Sequence, residues 1–172
     1  LIITKIHSVS TMYNEKNTGG KRNNRPIWAF VIKYEGETRY RSNGREYISN
    51  INNLAVLPKG CSYDWRCVES GHFSIIEFEC DMSGSEIFTF NVNNGETYLE
   101  ILKRMEIDRA LKKTACKLDE FKNLYGLISS MVKTIDKKYV PSDRKQKISK
   151  AIEYIARNYN KHIRNDELAC VS

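Results

Sequence analysis

The chain holds three histidines, His7, His72 and His162, and no two stand close enough in sequence to form a paired metal-ligand motif. Nor does any of them sit in a pattern with serine or cysteine that sequence can defend as a nucleophile and its base. Gly19-Gly20-Lys21-Arg22 has the outline of a phosphate-binding turn. Such a loop needs a glycine five residues before Gly20 and a Ser or Thr after the lysine to reach magnesium. Those positions hold Glu15 and Arg22, which discards the chemistry. The five cysteines, Cys61, Cys67, Cys80, Cys116 and Cys170, are an odd, scattered set without a Cys-x-x-Cys pair. Reduced thiols of a cytoplasmic protein are the plain expectation. No catalytic residue, metal or cofactor is expected from this inventory.

The elements that must position any binding chemistry fall into two halves. Residues 1–96 balance 11 Lys/Arg against 11 Asp/Glu, so the net charge of +7 sits wholly in the rest of the chain. A neutral first half and a basic second half imply two roles, and a basic half can face nucleic acid through phosphate contacts. Turn signals recur at short intervals in the first half: Glu35-Gly36-Glu37, Ser42-Asn43-Gly44, Pro58-Lys59-Gly60, Glu69-Ser70-Gly71, Ser83-Gly84 and Asn93-Asn94-Gly95. Between them lie β-rich runs at Ile27–Tyr34, Thr38–Arg41, Arg45–Ile48, Leu54–Leu57, Tyr63–Val68, His72–Glu79 and Ile87–Val92, with an earlier run at Ile2–Val9 and a polar loop at Asn14–Asn24. This spacing predicts an antiparallel sandwich or barrel.

After Gly95 the period changes to that of a helix. Leu99, Leu102, Met105 and Leu111 predict one amphipathic helix, broadened by Ile101 and Ile107. Phe121, Leu124, Tyr125, Ile128, Met131, Val132 and Ile135 predict a second. Tyr139-Val140-Pro141-Ser142-Asp143 breaks the pattern and reads as a linker. A third helix is expected from about Asp143 to Asn160, and Asn165-Asp166-Glu167-Leu168-Ala169 reads as the capped start of a fourth, left unfinished at Ser172. No apolar run approaches the ~20 residues that span a bilayer, and the first residues do not have the layout of a secretion signal.

Two stretches resemble a known family. Ile148-Ser149-Lys150-Ala151-Ile152-Glu153-Tyr154-Ile155-Ala156-Arg157-Asn158-Tyr159, with Ile163 and Leu168-Ala169 after it, is similar to the opening of the DNA-binding domain of AraC/XylS-type transcription regulators. Arg164 stands where many members carry a Ser or Thr cap, and Asn165 can serve instead. The first half resembles the cupin-like sensor domain of the same family, through Arg25-Pro26, Gly36, Asn43-Gly44-Arg45-Glu46-Tyr47 and Leu54–Gly60 in the expected order.

The resemblance implies a mainly β, then α chain: a cupin-like antiparallel β-barrel over residues 1–95, a helical dimerisation and linker region over 96–140, and the first part of a helix-turn-helix domain over 141–172. It implies a small-molecule effector, a sugar or related metabolite, bound in the barrel near Arg25 and Trp65, with Phe73, Ile75, Trp28 and Tyr63 as further walls. Phe73 and Ile75 stand where arabinose-responsive members carry His and Trp, which argues against arabinose. Equally open is a barrel in which these side chains simply fill the interior. The stripe Phe121, Leu124, Tyr125, Ile128, Met131, Val132 is expected to form a homodimer, to pack on the barrel, or both. DNA binding is expected of the full-length protein only. Enzymatic cupins hold their metal with a His-x-His pair, and no histidine lies between Gly36 and Gly60, which disfavours an isomerase or lyase. A stand-alone carbohydrate-binding module is the remaining alternative.

Overall fold

The structure, a computed structural model, describes residues 1–92, 95–112, 114–138, 143–158, 161 and 163–171, without the side chains of 134–138, 143–149 and 169–171. Tyr139 to Ser142 of the expected linker, and His162, lie outside the described residues. The described strands are β1 (Ile3–Asn14), β2 (Gly19–Arg22), β3 (Trp28–Lys33), β4 (Glu37–Ser42), β5 (Arg45–Ser49), β6 (Asn53–Leu57), β7 (Tyr63–Glu69), β8 (Gly71–Cys80) and β9 (Phe88–Asn91). They form two antiparallel sheets, one in the order β1-β8-β3-β6-β9 and one in the order β2-β7-β4-β5. Two antiparallel sheets with the helices after the strands are the mainly β, then α arrangement expected of the chain.

β2 lies inside the stretch expected to be a loop. Gly-Gly-Lys-Arg has no β-branched or aromatic residue to signal a strand, and it is held by its backbone ladder to β7, Gly19 opposite Arg66 through Arg22 opposite Tyr63. Gly20 leaves room for the Trp65 ring, whose Nε1 would lie 3.2 Å from an added Cβ.

The larger sheet is buried on both faces, and the period of two along its strands sorts side chains between two clusters. Trp28, Phe30 and Ile32 of β3, Leu54 and Val56 of β6, and Ile76 and Phe78 of β8 face one way, joined by Ile3, Ile6 and Val9 of β1. Onto this face pack α1 (Gly95–Ala110), through Leu99, Leu102 and Met105, and α2 (Cys116–Lys138), through Leu124, Leu127, Ile128 and Met131. Ala29, Val31, Ala55 and Leu57 face the other way, toward Tyr40 and Tyr63 of the smaller sheet.

The chain divides into two compact units, Leu1–Met131 and Val132–Ser172, so α1 and most of α2 share a core with the strands. Leu111 lies beyond the end of α1 and is exposed. In the second unit, α3 (Asp143–Asn158) and α4 (Asn165–Val171) stand as expected; Arg164 occupies the position before α4, its carbonyl accepting from the Glu167 and Leu168 amides. No helix among the described residues is long and apolar enough to cross a membrane.

Candidate ligand site between the sheets

The inner faces of the two sheets do not close completely. Between them lies a cavity of about 430 Å³, within the range of small-ligand pockets. Five of the six sequence-nominated positions line it: Arg25, Tyr63, Trp65, Phe73 and Ile75. The sixth does not. Trp28 is an even-numbered residue of β3 and packs on the opposite face of the sheet, against the helices, 2% exposed. Val31, the odd-numbered neighbour two positions after Ala29, takes the place on the cavity side.

Arg25 precedes β3 and is fixed at both ends. Its backbone amide donates to Cys61 O at 2.8 Å and its carbonyl accepts from Gly60 N at 2.7 Å. Its guanidinium, 4% exposed, donates from Nη2 to Glu77 Oε1 at 2.5 Å and from Nη1 to the Tyr63 hydroxyl at 3.0 Å. The other oxygen of Glu77 accepts from Ser8 Oγ at 2.8 Å. Nε is left over: buried, and without a partner. A buried N–H donor with no acceptor is costly, and this one is enclosed by protein atoms and does not face the open cavity.

Glu77 was not nominated by sequence, yet it could have been found. Phe73, Ile75 and Glu77 share one face of β8 by the period of two, so the carboxylate stands beside the positions the resemblance picked out. Ser10, Met12 and Asn14 of β1, Arg22 of β2, Tyr40 of β4 and Leu57 of β6 complete the lining. Tyr40 stacks edge-on to Tyr63 with ring centroids 5.6 Å apart. Burial raises the Tyr40 hydroxyl well above the usual phenol range, the neighbouring Tyr63 adds to this, and Arg25 opposes it; the group is a neutral donor at any physiological pH.

Beyond these residues, Lys33 ends the inward-facing row of β3 and is fully buried, its Nζ donating to Thr38 Oγ1 at 3.1 Å. Burial lowers its pKa, against the raising effects of Cys67, Glu35, Glu37 and Glu69. A larger depression of about 530 Å³ lies over Arg39, Arg41, Glu46, Asp64 and Arg66 on the outer face of the smaller sheet. Arg39 and Arg41 share Glu46, Arg39 also meets Glu37, and Lys16 and Arg66 add further positive charge, which makes it an exposed basic surface. The inter-sheet cavity, with apolar walls and a few convergent polar groups, has the composition of a binding site.

The stripe on α2 divides. Leu124, Ile128 and Met131 are buried against the sheet and Phe121 is partly buried beside them, while Tyr125 and Val132 are exposed. Leu127, which sequence reading left out, is 2% exposed and belongs to the same core. The Tyr125 hydroxyl accepts from the Ile3 amide at 2.9 Å. Among the described residues no three His, Cys, Asp or Glu side chains converge as a metal-binding set.

Two facing antiparallel sheets around a cavity, with helices following the strands and covering the back of the larger sheet, define a cupin-like architecture. No family profile and no curated protein matches the chain. Solved structures do, among them several of ToxT from Vibrio cholerae, an AraC-family regulator whose N-terminal domain is cupin-like, which match over nearly the whole length of this chain. One ToxT structure matches with a TM-score of 0.53 and 14% identity over 96% of this chain and 70% of that one. ToxT bound to (E)-4-(8-methylnaphthalen-1-yl)but-3-enoic acid gives 0.54 and 14% over 96% and 71%. Wild-type ToxT with bound unsaturated fatty acid gives 0.53 and 10% over 99% and 70%. At such identities the likeness is one of fold.

Proposed function

We propose that this chain is the effector-sensing part of an AraC-type transcription regulator, and that it senses a small molecule and does not transform it. One observation carries the proposal. The inter-sheet cavity is lined by a buried, charge-paired arginine and the tyrosine hydroxyl it holds, beside an aromatic and aliphatic wall. That arrangement offers a ligand orientation and hydrogen bonding. The order of elements supports it too, a cavity-bearing sandwich followed by helices, as does the likeness in fold to ToxT, two structures of which carry small organic acids. In this proposal an effector in the cavity biases the arrangement of α1 and α2, the exposed Tyr125 and Val132 of α2 contribute to a homodimer, and DNA is contacted by the full-length protein.

Calorimetry of the chain against a broad metabolite panel, repeated with Arg25→Ala, tests the first step. A hit should saturate at one per chain and change the fluorescence of Trp65 in a Trp28→Phe background. Arg25→Ala should weaken it about 10- to 150-fold, the worth of a hydrogen bond to a charged group. The second step is a promoter gel shift of the full-length protein with and without the hit. The proposal is wrong if no panel member binds, or if a bound hit leaves DNA affinity unchanged.

A further inference from the structure

We propose that the depression on the outer face of the smaller sheet is a second ligand site, separate from the inter-sheet cavity, and that it takes a phosphoryl dianion: phosphate itself or the terminal group of a small phosphate monoester. The strand register carries the proposal. Residues that point away from the core line up across the sheet in rows. One row reads Lys21, Asp64, Arg41, Glu46, each opposite the next on the neighbouring strand, and its charges alternate. The next row reads Gly19, Arg66, Arg39, Ile48. In it two arginines stand directly opposite each other, flanked by a residue without a side chain and an aliphatic one. Like charges so placed oppose the pairing of their strands, and an anion seated between them removes the opposition.

The protein's own acids do not supply that anion. Arg39 draws on residues outside its row, donating from Nε to Glu37 Oε1 at 2.7 Å and from Nη1 to Glu46 Oε1 at 3.2 Å, and Glu46 is shared with Arg41 at 2.9 Å. Asp64 answers Lys21 at 3.7 Å. Arg66 has only a neutral acceptor, Asn17 Oδ1, 2.9 Å from its Nη2. The Lys16 ammonium on the same wall has no ion-pair partner among the described residues. Lys16, Arg39, Arg41 and Arg66 stand against Glu46 and Asp64, which leaves two positive charges unanswered in the depression. Counting Glu37 and Lys21 just outside it does not change the balance.

Charge and shape select the ligand. A phosphoryl dianion matches the two open charges and brings three strongly accepting oxygens, which guanidinium groups meet with paired N–H donors. A carboxylate answers only one of the charges. The acids decide against an extended polyanion: a nucleic-acid strand laid on this face sets successive phosphates over Asp64 and Glu46 of the neighbouring row as well as over Arg66 and Arg39, whereas a compact dianion meets the arginine row alone. At about 530 Å³ the depression has room for the small body that carries the phosphoryl group.

The test is calorimetry in phosphate-free and sulfate-free buffer at low salt, with inorganic phosphate, glycerol 3-phosphate, dimethyl phosphate and a short DNA duplex as probes. Phosphate and glycerol 3-phosphate should each bind once per chain and compete with one another. Dimethyl phosphate, with one charge and two blocked oxygens, should bind about 10-fold more weakly or worse. Arg66→Gln should weaken glycerol 3-phosphate about 10-fold, and Arg66→Lys should restore part of the loss. Arg104→Gln, which removes an equal charge from the exposed side of α1, should change it less than about twofold. Binding of the monoester should weaken as pH falls through its second ionisation, near about 6. The assignment is overturned if neither phosphate probe binds, if the diester binds as well as the monoester, or if Arg66→Gln and Arg104→Gln have equal effects. It is overturned too if the duplex binds more tightly than glycerol 3-phosphate and loses that affinity in Arg66→Gln, which would make this face a nucleic-acid surface. None of these outcomes bears on the inter-sheet cavity, whose reading rests on Arg25 and Trp65.

Discussion

The joint between α1, α2 and β1 offers the sharpest test of how the sandwich is held to its helices. Arg109, in the last turn of α1, donates from Nε and Nη2 to the two oxygens of Glu120 at 2.7 and 2.8 Å. It also donates to the carbonyls of His7 at 2.7 Å and Ile6 at 3.2 Å. Those carbonyls sit where the register of β1 against β8 shifts between Ile6 and Ser8. The Glu120 side chain is 4% exposed and that of Arg109 is 32% exposed, and this asymmetry sets the expected order of effects. Arg109→Ala strands a buried carboxylate and two carbonyls. Removing one partner of a fully buried pair costs about 3–5 kcal/mol, and water reaching the vacated, partly open arginine site should bring this to roughly 2–4 kcal/mol. Glu120→Ala leaves a cation that is a third exposed and keeps its two carbonyl acceptors, for a loss of about 1–2 kcal/mol. The double variant should cost less than the sum of the singles by about 1 kcal/mol or more. Urea unfolding followed by tryptophan fluorescence reads this cleanly, because Trp28 and Trp65 both lie in the Leu1–Met131 unit. If Glu120→Ala proves the costlier change, or Arg109→Ala falls within about 0.5 kcal/mol of the parent, the joint is ornamental and the reasoning from burial is wrong.

Two further predictions concern the sandwich itself. Gly36 and Gly44 have nearly the same backbone, φ +73° and +74°, but a Cβ at Gly36 would collide with the carbonyls of Ser70 and Glu69, whereas nothing lies within 4 Å of one at Gly44. Gly44→Ala should therefore cost about 1 kcal/mol for the left-handed conformation alone, and Gly36→Ala clearly more, measured as the difference in Tm; equal shifts would remove the steric argument. Lys33 has a folded pKa lowered chiefly by burial, so between that value and the ordinary lysine range the unfolded chain binds a proton that the folded chain does not. Its contribution to stability thus rises with pH through that window, and the stability difference between parent and Lys33→Met should move in the parent's favour as pH climbs from 8 toward 10.5; a flat difference, read by urea titration at each pH, would refute it.

Much of this architecture is legible in the residues, and the failures have a common physical cause. Turn chemistry was sufficient to separate the strands, because Gly36, Asn43-Gly44 and Gly60 do adopt the positive φ that tight turns require. Facing was harder. Along β8 the period of two places Phe73, Ile75 and Glu77 on one side, although the alternation of polar and apolar residues changes phase at Ile75-Ile76; along β3 the run Trp28–Ile32 is apolar throughout and gives no phase, so sequence places Trp28 at the cavity when it faces the helices. A strand buried on both sides erases the signal that tells its sides apart. Arg22, Tyr40, Ser10 and Met12 give no such signal for another reason. They reach the cavity only through pairings distant in sequence, β1 with β8, β2 with β7 and β4 with β7. On α2 the helical period identified Leu124, Ile128 and Met131, but no period says whether a stripe meets its own sheet or a second chain.

Within the sensor proposal, the sheet that is buried on both faces is what couples the cavity to the helices. One sheet separates them, and its strands present alternate residues to each. On β1, Ser10, Met12 and Asn14 line the cavity, while between them the Thr11 amide and hydroxyl donate to Glu106 of α1 at 3.2 and 2.7 Å. On β3, Val31 borders the cavity and its neighbours Phe30 and Ile32 lie in the helix-facing core. A close-packed interior does not absorb a displaced side chain; it passes the displacement on. Pushing Met12 or Phe73 outward therefore moves backbone whose next residues seat α1 and α2. A ligand shifts an equilibrium only by its difference in affinity for the two arrangements. Within the sensor proposal, a molecule that fills the cavity without moving these strands binds without signalling and competes with the effector; the one that signals is the one slightly too large for the cavity as it stands.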